Sequence, residues 1–335
     1  MTQIVQGTQA WLDQHDEAIL EPARPIIDPH HHLWKWPEHE YLLPQLHADT
    51  GTGHNIVKTV FVECGARYRR EGPDHLKPVG ETEFVADQAA ASRETNGSVI
   101  AGIVSHADLT RAEAVDEVLQ AHTDAGQGLF RGIRHAGARA TEPDGMSVFA
   151  GRAPEGLYDQ PEFRTGIEVL GRLGLTYETW HYHYQNQDFI ELAKAVPGTQ
   201  MILDHFGTPL GVGSYADRRA EIFEQWKQDM AELASCENVV MKIGGLAMPD
   251  NGFGWHLRDT PATSDELVAA HKDYYLHVIE CFGPDRCMME SNFPVDKMSI
   301  AYHVLFNGLK RIVADYSEDE KHQMFFGTAE RIYSL

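Results

Sequence analysis

Short apolar runs alternate with amphipathic stretches along most of the chain. Eight runs read as strands, at 25–30, 58–64, 98–104, 129–135, 174–180, 200–204, 239–243 and 286–291. Each is rich in Val, Ile, Leu, Phe or Met, or ends at Gly, Pro, Asn or Asp. Between them, 82–94, 111–122, 162–172, 186–195, 215–234, 264–281 and 300–314 carry apolar residues at helical spacing. Such alternation predicts an α/β fold, a parallel sheet with helices outside. Eight strands point to a (β/α)8 barrel over 25–335, preceded by an extension, 1–24, with one helix near 9–19. An open doubly wound sheet also fits, but no strand is followed by GxGxxG or GxxxxGK[ST]. Long segments, 33–56, 65–80, 136–160, 206–214 and 244–263, follow the strands, and the returns from helix to strand are shorter. In a barrel that asymmetry builds up the face that carries the site.

Charge narrows the partners. The 335 residues contain 28 Lys and Arg against 50 Asp and Glu, a net charge of −22. That balance argues against nucleic acid and against an anionic membrane surface, and leaves a small molecule as the expected partner. Self-association into a homo-oligomer stays open. The four cysteines have no CxxC spacing and read as reduced thiols of a cytoplasmic protein. The N-terminus lacks a basic segment followed by an apolar run, so no signal peptide is expected.

Histidine carries the candidate chemistry. His30 and His32 alternate onto one face at the end of the first predicted strand, where two imidazoles can grip one divalent ion. Asp28 has the same parity and is an expected partner for them. After the fifth strand, WHYHYQ (180–185) offers His181 and His183, and spacing cannot choose between them. His205 follows the sixth strand in ILDHFGTPLG. Arg134, at the end of the fourth strand, is the candidate anchor for an anionic or cyclic substrate, because its guanidinium fork matches a carboxylate. Glu63 ends the second strand. Tyr177, Trp255 and His256 lie near strand ends, with Trp34 and Trp180, as an aromatic mouth.

These motifs resemble the amidohydrolase superfamily, amidohydrolase-2 type, and within it the lactonase-like members. The segments that carry the resemblance are DPHHHLW (28–34), FRGIRH (130–135), LTYETWHYHYQ (175–185), LDHFGTPLG (203–211), GGLAMPDNGFGWH (244–256), FGPDRCMMESNFPVD (282–296) and FGTAERIY (326–333). The resemblance spans the chain from about residue 26 to its end. It implies a TIM barrel in which His30, His32, His183 and His205 surround a divalent metal, Zn2+ first and Mn2+ second. It also implies an aspartate after the eighth strand, as ligand and general base. Asn292 stands there, and an amide has no basic site at neutral pH. That departure leaves a metal-free site open and moves the base to Asp296 or Glu290, with Asp296 ranked ahead. A histidine not engaged as a ligand, His205 among them, is a further choice.

The expected activity is hydrolysis of a small lactone, or a related ester or amide, by activated water. The alternatives are a metal-dependent non-oxidative decarboxylase of an aromatic acid, a metal-free lactonase, and a barrel that only binds its ligand. Fold alone does not separate them.

Overall fold

A computed structural model describes residues 5–36, 39–146 and 150–335. Residues 37–38 and 147–149, inside two of the predicted loops, and residues 1–4 of the predicted extension lie outside the described residues. All eight predicted strands form: β1 Pro25–His31, β2 Asn55–Val62, β3 Val99–Ser105, β4 Phe130–Arg134, β5 Thr176–Thr179, β6 Met201–Leu203, β7 Val239–Ile243 and β8 Cys287–Met289. They pair in parallel in chain order from β1 to β8. The barrel closes where the chain beyond β8 meets β1. There Asn292 N donates to His30 O (3.1 Å) and His32 N donates to Phe293 O (2.8 Å). Each strand is followed by a helix on the outside, Leu43–Thr50 after β1 and Tyr302–Ile312 after β8 among them.

The pattern of apolar residues explains most of this. In a barrel both strand faces are covered, so strands read as continuous apolar runs. The helix Ser264–Phe282 starts where Thr263 and Glu266 form a reciprocal cap. The predicted loop 33–56 instead holds a short hairpin, Trp34–Trp36 with His39–Tyr41, and the helix Leu43–Thr50. Both are too short to leave a clear period in the sequence.

Inside the barrel, Ile27, Val60, Val104, Ile202 and Val240 form a cluster that Ala329 and Tyr333 join from the C-terminal helix Thr328–Tyr333. The end of the chain therefore plugs the barrel from the side opposite the site. Before β1, the segment up to residue 24 straps the outer helices. Glu17 accepts from Ser264 N, and Lys310 donates to the carbonyls of Leu20 and Glu21. Among the described residues, no helix is long and apolar enough to cross a membrane.

Candidate active site

The β1 strand sets the first two site residues, with a change of phase. Its register slips between Asp28 and His31. The slip turns Asp28 toward the outer helix, where it accepts from Tyr302 Oη (2.9 Å) and from Ser291 N (2.9 Å). Asp28 thus ties β1 to β8 and to a helix, and does not face the histidines as strand parity predicts. His30 and His32 do come together, with Nε2 atoms 3.3 Å apart. His32 Nδ1 donates to Val62 O (2.7 Å), which leaves its Nε2 lone pair facing His30. Burial, and then a nearby cation, Lys242 for His30 and Arg134 for His32, hold both imidazoles well below the ordinary histidine range, so both are neutral.

Beneath His30 lies a fully buried charged cluster. His30 Nδ1 is 2.9 Å from Glu290 Oε2, 3.3 Å from Lys242 Nζ and 3.7 Å from Asp204 Oδ1. Lys242 is an inward residue of β7 and donates to Glu178 of β5, whose other oxygen accepts from Tyr333 Oη (2.7 Å). Burial and the neighbouring Asp204 push the Glu178 carboxyl up to about 8. Asp204 Oδ1 has no hydrogen-bond partner among the described residues. One ligand atom each from His30, Asp204 and His205 lies within 4.8 Å of the others, a group able to hold a metal ion.

His205 forms the wall above this cluster. Its Nδ1 donates to Glu290 Oε1 (2.7 Å). Burial works against its charge, but Glu290, Asp204 and Asp296 outweigh burial and raise its pKa above the ordinary value. The local backbone is strained. His205, Phe206, Thr208 and Asn292 all have φ between 43° and 58°, a region costing about 1–2 kcal/mol per non-glycine residue. Such strain gathers where a side chain must be aimed. Two glycines let the loop after β7 press on the pair. A Cβ on Gly244 would lie 2.3 Å from Glu290 Cγ, and one on Gly245 (φ +75°) would lie 2.3 Å from His205 Nδ1. Gly245→Ala is therefore expected to destabilise the protein by roughly 1–3 kcal/mol. It should also displace His205, and a melting curve with a steady-state assay checks both effects.

Several sequence expectations are corrected. His183 does not join the group. β5 ends at Thr179, its inward position is Glu178, and His183 sits on a later turn with its Nδ1 accepting from Leu210 N (3.3 Å) and its ring against Tyr215. His181 is buried between Tyr158 Oη and Asn186 Oδ1. Tyr177 faces the outer helices, fully buried, and donates to His135 O. Trp255 packs on Phe253 and His271, and neither it nor His256 lines the cleft. The two candidate carboxylates sit differently. Glu290 touches both His30 and His205, whereas Asp296 accepts from Asn292 Nδ2 (2.8 Å) and Ala247 N (3.1 Å) behind the site. Burial raises the Asp296 pKa to about 7. With its amide nitrogen held by Asp296, Asn292 keeps its carbonyl oxygen as the free end at the cleft.

Arg134 is where expected, but its guanidinium is committed. It donates to the side chain and main-chain oxygen of Glu63 and to Asp204 Oδ2 (3.3 Å). These bonds hold it against carboxylates of the protein, and it also lines the cleft. Glu63 lines the cleft as its partner. The cleft itself has a volume of about 750 Å³, and His32, Trp34, Trp180, His205 and Asn292 are among its walls. Sequence reasoning missed Asp204, Glu178 and Lys242, although a lysine inside VVMKI was a visible signal.

The amidohydrolase family profile matches residues 27–335. The chain is 31% identical to an uncharacterized protein of Sinorhizobium fredii, over 92% of this chain and 98% of that one. It is 24% identical to an L-fucono-1,5-lactonase of Burkholderia multivorans, over 92% and 96% of the two chains. Among solved structures it resembles a zinc-bound amidohydrolase of Burkholderia multivorans, with a TM-score of 0.72 and 21% identity, covering 92% of this chain and 99% of the other.

Proposed function

The chain belongs to the amidohydrolase family, and on that premise we propose that it opens a small cyclic ester by attack of water, with a divalent ion assisting. The observation that carries this reading is the Glu290–His205 pair, with His205 at the cleft wall and the buried carboxylate behind it holding one imidazole nitrogen so that the other is left for the substrate. The relatives named L-fucono-1,5-lactonase support the ester class. The zinc-bound neighbour supports the ion.

The residues fit such an ion. Two neutral imidazole nitrogens 3.3 Å apart match the roughly 3.3 Å spacing of two ligands on one tetrahedral zinc. Asp204 Oδ1, 3.7 Å from His30 Nδ1, is a buried oxygen with no hydrogen-bond partner among the described residues. His30 and Asp204, both in the buried metal-capable group, are the residues that would hold it, with His32 Nε2 the neighbouring nitrogen beside His30. A bound ion polarises the ester carbonyl and lowers the pKa of bound water.

The protein's own groups do the rest. His205 accepts the proton of the attacking water at Nε2, and Glu290 stabilises the imidazolium that results. The Asn292 carbonyl oxygen accepts a hydrogen bond from that water and aims it, with Asp296 fixing the amide. Arg134 holds Asp204 and Glu63 in place. The imidazolium then returns its proton to the leaving alkoxide as the ring opens. Trp34 and Trp180 present flat apolar faces to the ring of the substrate and thin out competing water.

Elemental analysis of tag-free protein, with a lactone panel assayed before and after chelation, tests the reading. Near one equivalent of zinc or manganese is expected. Chelation is expected to cut turnover about 100-fold or more, and re-addition of the ion to restore it. Release of CO2 from a hydroxybenzoate, with no lactone opened, would overturn the hydrolase assignment.

A further inference from the structure

Two histidines outside the machinery just described face the same cleft. His106 follows β3 and His135 follows β4, and both line the cleft, their ring centroids 5.3 Å apart. Each has one nitrogen committed to the backbone, in opposite senses. His106 Nδ1 lies 3.0 Å from the carbonyl oxygen of Arg134, so it donates and carries the proton. In the neutral ring its Nε2 is then an acceptor. His135 Nδ1 accepts from Leu109 N (3.2 Å). Its Nε2 must then carry the proton and act as a donor. Burial, with His106 adding to it, pushes the His135 pKa down to about 4, so this ring is neutral near pH 7. The supports are themselves fixed: Arg134 by Glu63 and Asp204, and the His135 ring by Phe163 at 5.2 Å.

Two rings 5.3 Å apart on one cleft, one left with an acceptor and the other with a donor, match one functional group in particular. A hydroxyl group donates and accepts at once, whereas a carboxylate offers acceptors only and leaves His106 Nε2 facing a lone pair. The geometry points to His106 and His135 as a specificity-determining pair that reads a hydroxyl group on the ring of the cyclic ester. They would favour hydroxylated lactones over bare ones and over lactones carrying a carboxylate at that place. Sites built to bond a substrate hydroxyl reject analogues lacking it, because the buried polar groups are left unpaired.

The turnover test rests on the hydrolase reading, and a binding test stands apart from it. D-Glucono-1,5-lactone and δ-valerolactone share a six-membered ring and differ in their hydroxyls. At pH 8 the wild-type protein is expected to prefer the first by about 100-fold or more in kcat/KM. His106→Phe and His135→Phe should each reduce that ratio at least ~10-fold, mainly through KM. A merely structural role lowers both substrates in proportion and leaves the ratio unchanged, which would overturn the assignment. If the wild type opens neither of these nor any other lactone of the panel, the hydrolase reading falls, and calorimetry with the two corresponding lactams decides the pair separately. Tighter binding of the hydroxylated lactam, lost in either variant, supports it. Equal binding of the two lactams by the wild type overturns it.

Discussion

Glu290→Gln lowers kcat/KM for lactone opening by about 10³–10⁴-fold, the largest loss expected from a single isosteric change at this site. The carboxylate accepts from His205 Nδ1 at 2.7 Å and lies 2.9 Å from His30 Nδ1. An amide offers one acceptor and one donor. If its oxygen keeps His205, its NH2 group faces His30 Nδ1, a position that requires an acceptor. If it turns, His205 loses the partner that fixes its tautomer and its Nε2 no longer presents a lone pair to water. Either way the imidazolium formed in the reaction loses its counter-charge between two buried side chains, where such stabilisation is strongest. The loss should fall on kcat, because Glu290 is fully buried and does not line the cleft. Single-turnover kinetics on variant protein with a cooperative melting transition measures it. A loss below tenfold in folded protein would reduce Glu290 to a packing role.

The strands and most of the helices were legible because each carries a strong local period or an apolar run between turn residues. The site was legible only in part. His30, His32, His205, Arg134, Glu290 and Asn292 sit at strand ends that meet on one face, and chain order alone places them together. An error arose where parity was carried past a break in the strand. The slip in β1 turns Asp28 away from the histidines; β5 ends at Thr179, before His183, which the resemblance and not parity had implied as a ligand. Parity also gives relative faces, not which face points inward. Tyr177 and Glu178 are neighbours on β5, and only the closed barrel decides that Glu178 is inside. The direction in which Lys242 and Asp204 point was hidden for a related reason. Both faces of a barrel strand are apolar, so one polar residue in such a run has no contrast to show its direction.

Lys242→Met destabilises the protein by about 3–5 kcal/mol, because it strips the cation from a fully buried cluster and leaves carboxylates uncompensated. Lys242 Nζ donates to Glu178 and lies 3.7 Å from Asp204 Oδ1, with every one of these side chains at 0% exposure. The expected signature is a dependence on pH. The Glu178 pKa is already raised, to about 8, against an ordinary carboxyl value in the unfolded chain. Between those two values the folded state binds more protons than the unfolded state, so this group's contribution to stability falls as pH rises. Removing Lys242 raises the folded pKa further and steepens that fall. The variant should therefore lie closest to wild type near pH 5, where Glu178 is neutral, and furthest from it near pH 8. Adding Glu178→Gln removes the stranded charge, and the double variant should recover part of the loss at pH 8 and little at pH 5. Denaturant melts of the four proteins at both pH values give the coupling directly. A deficit independent of pH, with no recovery in the double variant, would mean that Lys242 acts by filling space and not by its charge.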